Sequence, residues 1–221
     1  MTMERPIFVE LFSGSQTIAA AARRVGFRSV TIDIDPRTKP DICLDITNLR
    51  RSILPKNVAV VWASPPCTKF SLLQSSRHFE SRRVGYRKYY HEPKTNEAIQ
   101  ALWVLSCTLR LICQLNPEIY YIENPRGILR HRPELVMVPY RKTVRYSDFG
   151  AEIEKPTDIF TNNPKFNPTQ SKRPKNLKHL TEIGTVEERA TIPTELAKYI
   201  AEISATSMPG LWILSPELEI K

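Results

Sequence analysis

The sequence predicts an α/β fold: a doubly wound, mostly parallel sheet with helices on both faces, of the Rossmann-like kind. Two observations carry this. Between Ile7 and Pro125, short apolar runs alternate with helical stretches, the order that parallel strands and crossover helices produce. Most of those apolar runs end in a short polar turn holding Gly or Pro. In open sheets of this kind, ligands bind beyond the carboxyl ends of the strands.

The elements read in order as follows. Ile7 to Leu11 is a short buried strand, and Ser13-Gly14-Ser15 is the turn after it. Thr17 to Val25 is an Ala-rich helix closed by Gly26. Ser29 to Ile34 is a second strand ending at Asp35-Pro36, and Asp41 to Ile46 is a weaker third. Val58 to Ala63, apolar throughout, is a fourth strand running into Ser64-Pro65-Pro66. Thr95 to Leu115 is a long helix with apolar positions at Ile99, Leu102, Trp103, Leu105, Leu109 and Ile112. Ile119 to Ile122 is a fifth strand ending at Glu123-Asn124-Pro125. Asp158 to Thr161 is a later strand, and Leu196 to Ile203 is a terminal helix opened by Pro193-Thr194-Glu195.

With 221 residues, 41% of them hydrophobic, the chain reads as one domain with a full core. The net charge of +9 favours a polyanionic partner. Cys43, Cys67, Cys107 and Cys113 form no CxxC pair and have no His cluster beside them, so no metal site is expected. No apolar stretch reads as a membrane span, and the start does not read as a signal peptide. A soluble monomer with free thiols is expected, cytoplasmic, or nuclear in a eukaryotic host.

Two groups of residues look chemical. At the first three strand ends, the Phe12-Ser13-Gly14-Ser15 turn offers free backbone N–H groups at a helix start. Asp33 is either a ribose acceptor or a solvated strand-end acid. Asp45 is either an acceptor for an adenine amino group or a cap before Asn48. At the fourth strand end, Ser64-Pro65-Pro66-Cys67 is a turn stiffened by two prolines. Cys67 is either a nucleophile or a small buried apolar residue. At the fifth, Glu123 faces the same pocket as a proton-holding acid, or Glu123-Asn124-Pro125 is merely a turn.

These motifs, in this order, resemble the C5-cytosine methyltransferases. Phe8-Val9-Glu10-Leu11-Phe12-Ser13-Gly14 is similar to the family's first cofactor motif. Ser64-Pro65-Pro66-Cys67 is similar to its Pro-Cys motif and Glu123-Asn124 to its Glu-Asn motif. Arg189-Ala190-Thr191-Ile192-Pro193 is similar to its last motif. The resemblance implies S-adenosylmethionine as cofactor, held by Phe12, Ser13, Gly14, Ser15, Asp33, Ile34, Asp45, Ile46, Pro65 and Thr191. It implies Cys67, Glu123 and Asn124 as the catalytic set: Cys67 adds to C6 of cytosine, Glu123 bonds N3 and the exocyclic amine, and C5 then takes the methyl. In duplex DNA the base must leave the stack first.

The chain departs from the family pattern in three places. Pro125 stands where Val commonly follows Glu-Asn. The Gln-x-Arg-x-Arg element is absent, leaving Lys155, Thr157 and Arg145 as candidates to contact the base beside Pro66. A short basic linker at 163–184 stands in place of a target-recognition segment, so 1–221 reads as a single catalytic domain. Two basic stretches are left to bind phosphates. Arg77 to Lys94 holds Arg77, Arg82 and Arg83 among six Lys/Arg against two acids, with tyrosines interleaved. Lys165 to Lys178 holds five Lys/Arg and no acid. Phosphate contacts carry little sequence information, so low or very short-context specificity is expected. The competing readings are the same chemistry on RNA or a free cytidine nucleotide, and an inactive relative that only binds nucleic acid.

Overall fold

The computed structural model describes residues 4–85, 88–169, 177 and 191–208. Its strands, in chain order, are β1 (Ile7–Leu11), β2 (Arg28–Asp33), β3 (Ile42–Cys43), β4 (Val58–Ala63), β5 (Phe79–Gly85), β6 (Lys88–Pro93), β7 (Ile119–Pro125), β8 (Tyr140–Arg145) and β9 (Pro156–Thr161). Its α-helices are α1 (Thr17–Arg24), α2 (Leu72–His78), α3 (Asn96–Leu115) and α4 (Thr194–Ser207). Seven strands form one sheet in the order β3-β2-β1-β4-β7-β9-β8. The five from β3 to β7 run parallel, and β9 lies antiparallel to both β7 and β8.

The sheet is covered on both faces, and the strands show it. Phe8, Val60 and Trp62 point into a core shared with Ile18 of α1 and Leu196 and Ile200 of α4. Their neighbours Val9, Val61 and Ala63 point into the opposite core, with Leu105, Leu111 and Ile112 of α3. That is why β4 is apolar at every position: a strand buried on both faces has no solvent side to mark with polar residues.

The helix ends are set by local chemistry. The α1 helix closes on Gly26 at φ +99°, with Gly26 N–H donating to Arg23 O and Phe27 N–H to Ala22 O. This is a Schellman close, and it drops Phe27 into the core beside Phe8. Thr95 opens α3 by accepting from Ala98 N–H at 3.2 Å, and Asn116, left-handed at φ 46°, ends it. The α4 helix is keyed to the sheet by a buried polar trio. The Tyr121 hydroxyl takes bonds from Asn163 at 2.9 Å and Ser204 at 3.1 Å.

Several expectations are corrected. The third strand is two residues, not Asp41 to Ile46; Asp45 already sits in a turn, where its Oδ1 takes the Thr47 N–H at 2.8 Å and hydroxyl at 2.9 Å. Ile46 lies in the core. The stretch from Arg77 to Lys94, expected as a loop, contains the β5–β6 antiparallel hairpin. Strand β8 was missed because Tyr140-Arg141-Lys142-Thr143-Val144-Arg145 is polar at most positions, as suits the edge of a sheet. The 20-residue α3 is long and apolar enough to cross a membrane, contrary to the expectation that no stretch is. Here it is a core helix, with Ala98, Leu105, Leu111, Ile112 and Leu115 buried against the sheet. Of the basic linker 163–184, residues 170–176 and 178–184 lie outside the described residues, as do Arg189 and Ala190 of the last motif.

Ile200 is fully buried where α4 meets the sheet. Ile200→Ala is expected to destabilise the protein by about 2–5 kcal/mol, the usual cost of a large-to-small change in a packed core. Chemical denaturation measures it.

Candidate active site

The turn after β1 is built from strained backbone. Phe12 (φ 59°), Gly14 (φ 45°) and Gln16 (φ 56°) are all left-handed. For Phe and Gln this costs roughly 1–2 kcal/mol each. Hydrogen bonds offset it: Ser13 N–H to Ile32 O at 3.0 Å, Gly14 N–H to Asp33 Oδ2 at 2.8 Å, and Gln16 N–H to Ser13 O at 2.6 Å. Gln16 also donates to the carbonyls of Thr38 and Lys39, tying the turn to the loop after β2. Glu10 sits beneath, accepting from Ala19 N–H at 2.8 Å in the first turn of α1. Gln16 makes no side-chain cap, so a carboxyl on the neighbouring strand does that work instead. Burial pushes the Glu10 carboxyl up to about 8.

The turns after β4 and β7 are joined to each other. Asn124 is buried, and its Nδ2 donates to Pro65 O at 3.1 Å. Ile128 N–H donates to Phe70 O at 2.9 Å, and Ser71 and Gly127 form a β-bridge. The backbones come so close that a Cβ on Gly127 would stand 2.1 Å from Phe70 O. The segment that carries Cys67 is thus fastened at both ends to the segment that carries Glu123.

Both groups open into one cavity of about 1060 Å³, which extends from the β1 turn to the β4 and β7 turns. Its wall includes Phe12, Ser13, Gly14, Ser15, Asp33, Pro65, Pro66, Cys67, Glu123, Lys155 and Thr191, all foreseen in the sequence. It also includes Glu10 and Ser64, which were not. The Ser13 hydroxyl is buried and has no hydrogen-bond partner among the described residues. Glu123 is buried and accepts from the Tyr146 hydroxyl at 3.1 Å, with Ser64 also bonded to its carboxyl. Trp62 Nε1–H donates to Ser64 Oγ at 2.7 Å, which orients that hydroxyl. The Lys155 ammonium stands 4.6 Å from the centre of the Tyr146 ring.

Burial raises the Glu123 pKa, against the pull of the Lys155 charge and the Tyr146 bond. Burial also raises the Cys67 pKa, and the Glu123 charge adds to it. Burial thus shifts both groups in the direction of their neutral forms.

Other expected residues lie elsewhere. Asn124 does not reach the cavity wall; it holds Pro65 and so positions the Cys67 turn. Ile34 is 64% exposed and, with Asp45 and Ile46, lies off the wall. Arg145 turns away to pair with Asp148 at 3.0 Å. Thr157 is fully buried behind the carboxyl, beside the Tyr146 hydroxyl. Arg77 is exposed on α2, while Arg82 and Arg83 project from the hairpin, Arg82 paired with Glu92 at 2.9 Å. The hairpin's base is clamped by Arg132, which donates to His91 O and pairs with Glu134 at 2.6 Å. Tyr146 had no motif to announce it; it is a tyrosine after a polar edge strand.

No family model matches the chain. It is 30% identical over 168 residues to a probable DNA (cytosine-5)-methyltransferase of Frog virus 3 (isolate Goorha), covering 72% of each chain. The chain belongs to the DNA (cytosine-5)-methyltransferase family. Among solved structures it is similar to Entamoeba histolytica methyltransferase EhMeth (15% identity, TM-score 0.51), covering 79% of this chain and 58% of that one. It is also similar to a DNA modification methyltransferase encoded within an E. coli prophage (17% identity, TM-score 0.49), covering 71% and 46%. The chain spans about half the length of these two structures. At such identities the likeness to EhMeth concerns the fold alone.

Gly127→Ala is expected to push the Phe70 backbone away and loosen the Cys67 turn, at a cost of about 1–3 kcal/mol. Thiol labelling resolved by mass spectrometry checks it: Cys67 should react faster than in the wild type, with Cys43 and Cys113 unchanged.

Proposed function

We propose that the chain methylates C5 of cytosine in DNA, using S-adenosylmethionine, through a covalent bond between Cys67 and C6. The observation that carries this is the shared cavity: a cysteine just past β4 and a carboxyl near the end of the adjacent β7 face one space that also reaches Ser13, Gly14 and Asp33. Family membership supports methyl transfer, and the +9 charge supports a nucleic-acid substrate.

The cofactor end of the cavity fits a ligand of that chemistry. The unpartnered Ser13 hydroxyl calls for a polar ligand group. Asp33 lines the same cavity, and a strand-end carboxyl suits a ligand bearing hydroxyls. When bound there, S-adenosylmethionine supplies an electrophilic methyl group.

The chain's own groups do the rest. Cytosine is a poor nucleophile at C5 until its ring is activated. Cys67 sulfur bonds C6 while N3 accepts a proton from Glu123, which moves the C6–C5 electrons into an enamine. The proton lost by the thiol returns the Glu123 carboxylate to its acid form. C5 then takes the methyl, its proton passes to water, the S–C6 bond breaks, and the N3 proton returns through Glu123 to the Cys67 sulfur. Starting from a neutral acid and a neutral thiol, the addition adds S–H across the ring without leaving a net charge in the cavity.

Target recognition falls to the surface around the cavity. Among the described residues, the β5–β6 hairpin pairs with no other strand and follows Cys67 closely in the chain. A two-stranded ribbon of this size fits a DNA groove. Arg83, Val84 and Tyr89 are exposed on it. With so small a reading surface, short-context specificity follows.

Wild-type protein is expected to form a stable covalent complex with 5-fluorocytosine duplex DNA in the presence of S-adenosylmethionine, and Cys67→Ser to form none; a denaturing gel reads both. Equal behaviour of the two would remove Cys67 as nucleophile, and complex formation only on RNA or on a free nucleotide would redirect the substrate. Arg83→Ala is expected to lower the slope of log binding constant against log salt by about one unit, as loss of one phosphate contact does. Fluorescence anisotropy on duplex DNA over a salt series measures that slope.

A further inference from the structure

We infer that Tyr146 is a positioning residue for this chemistry: its hydroxyl holds the Glu123 carboxyl in the orientation that meets the base, and Lys155 braces its ring. The inference rests on the proposed cytosine chemistry and concerns a residue outside the recognised motifs.

The geometry is specific. Tyr146 follows β8 directly and is almost wholly buried, in a short 3-10 turn ended by Gly150 at φ 82°. Its hydroxyl donates to Glu123 Oε1 at 3.1 Å across a buried interface. Its ring carries the Lys155 ammonium at 4.6 Å, and Tyr146 N–H bonds Lys155 O at 3.3 Å. Lys155 and Glu123 line the cavity, whereas Tyr146 does not, so the phenol meets the carboxyl from within the protein.

A buried carboxyl with one free torsion has no reason to face the cavity unless donors behind it fix its plane. Tyr146 and Ser64 are those donors. A neighbouring cation polarises the phenol and strengthens its O–H as a donor. The burial that raises the tyrosine's own pKa keeps the hydroxyl protonated throughout the working range, so it always donates. The titratable or charged groups facing Glu123 are Tyr146, Lys155, Cys67 and Asp158. Asp158 is held by Arg130 at 2.5 Å and Thr143 at 2.7 Å, while the phenol donates to Glu123 directly.

The sign of the pH effect follows. The Tyr146 bond favours the Glu123 carboxylate, so its loss raises the Glu123 pKa further and keeps the acid form to higher pH. Activity that needs the acid form falls as pH rises through that pKa, and this falling limb moves upward in Tyr146→Phe.

The test uses Tyr146→Phe, which removes one oxygen and leaves the packing ring. Three results are expected: cofactor affinity within two-fold of wild type by calorimetry, covalent-complex formation on 5-fluorocytosine DNA slowed roughly 100-fold, as expected for a misoriented reacting group, and the falling pH limb shifted up. A carbon-13 NMR titration of labelled glutamate, without substrate, should show the Glu123 carboxyl titrating at higher pH in the variant. A folded variant with wild-type rate and pH limb, or with an unmoved Glu123 titration, would overturn the inference. Absence of any complex with wild-type protein would instead reject the cytosine chemistry, and the NMR titration still decides the Tyr146–Glu123 bond.

Discussion

The architecture of the site depends on one join: the turn after β4 is fastened to the turn after β7. Asn124 grips Pro65 from one side, and the Phe70–Gly127–Ile128 backbone contacts close the other. Parallel pairing of β4 with β7 brings the two strand ends side by side, but pairing alone does not fix the loops beyond them. Prolines at 65, 66 and 125 remove backbone donors and restrict φ, so the few bonds that remain determine where each loop goes. A thiol and an acid can then share a hollow without either residing on a flexible tip.

Much of this was legible in the sequence because parallel α/β sheets write themselves plainly. β1 and β4 were readable to the residue: β4, buried on both faces, is an unbroken apolar run, and β1 is apolar save for Glu10. Cys67 stood out just past β4, and Glu123 stood out because it follows the apolar run of β7. What failed to read was whatever depends on the edge or on partners distant in sequence. Strand β8 is a polar edge, the hairpin is mostly exposed, and neither carries the alternation that marks a half-buried strand. Asp45 reads two ways in the sequence because an acid two residues before Thr47 serves the turn as readily as it serves a ligand, and in the structure its Oδ1 takes both Thr47 bonds. Tyr146 was invisible because its importance lies wholly in a contact with Glu123, 23 positions away.

The electrostatics of the cavity favour restraint over standing reactivity. A thiolate resting in this space would be a permanent nucleophile, and burial together with the adjacent acid suppresses it. The carboxyl is suppressed in the same direction. In the proposed chemistry, a ring that takes a proton at N3 and a sulfur at C6 engages both groups together.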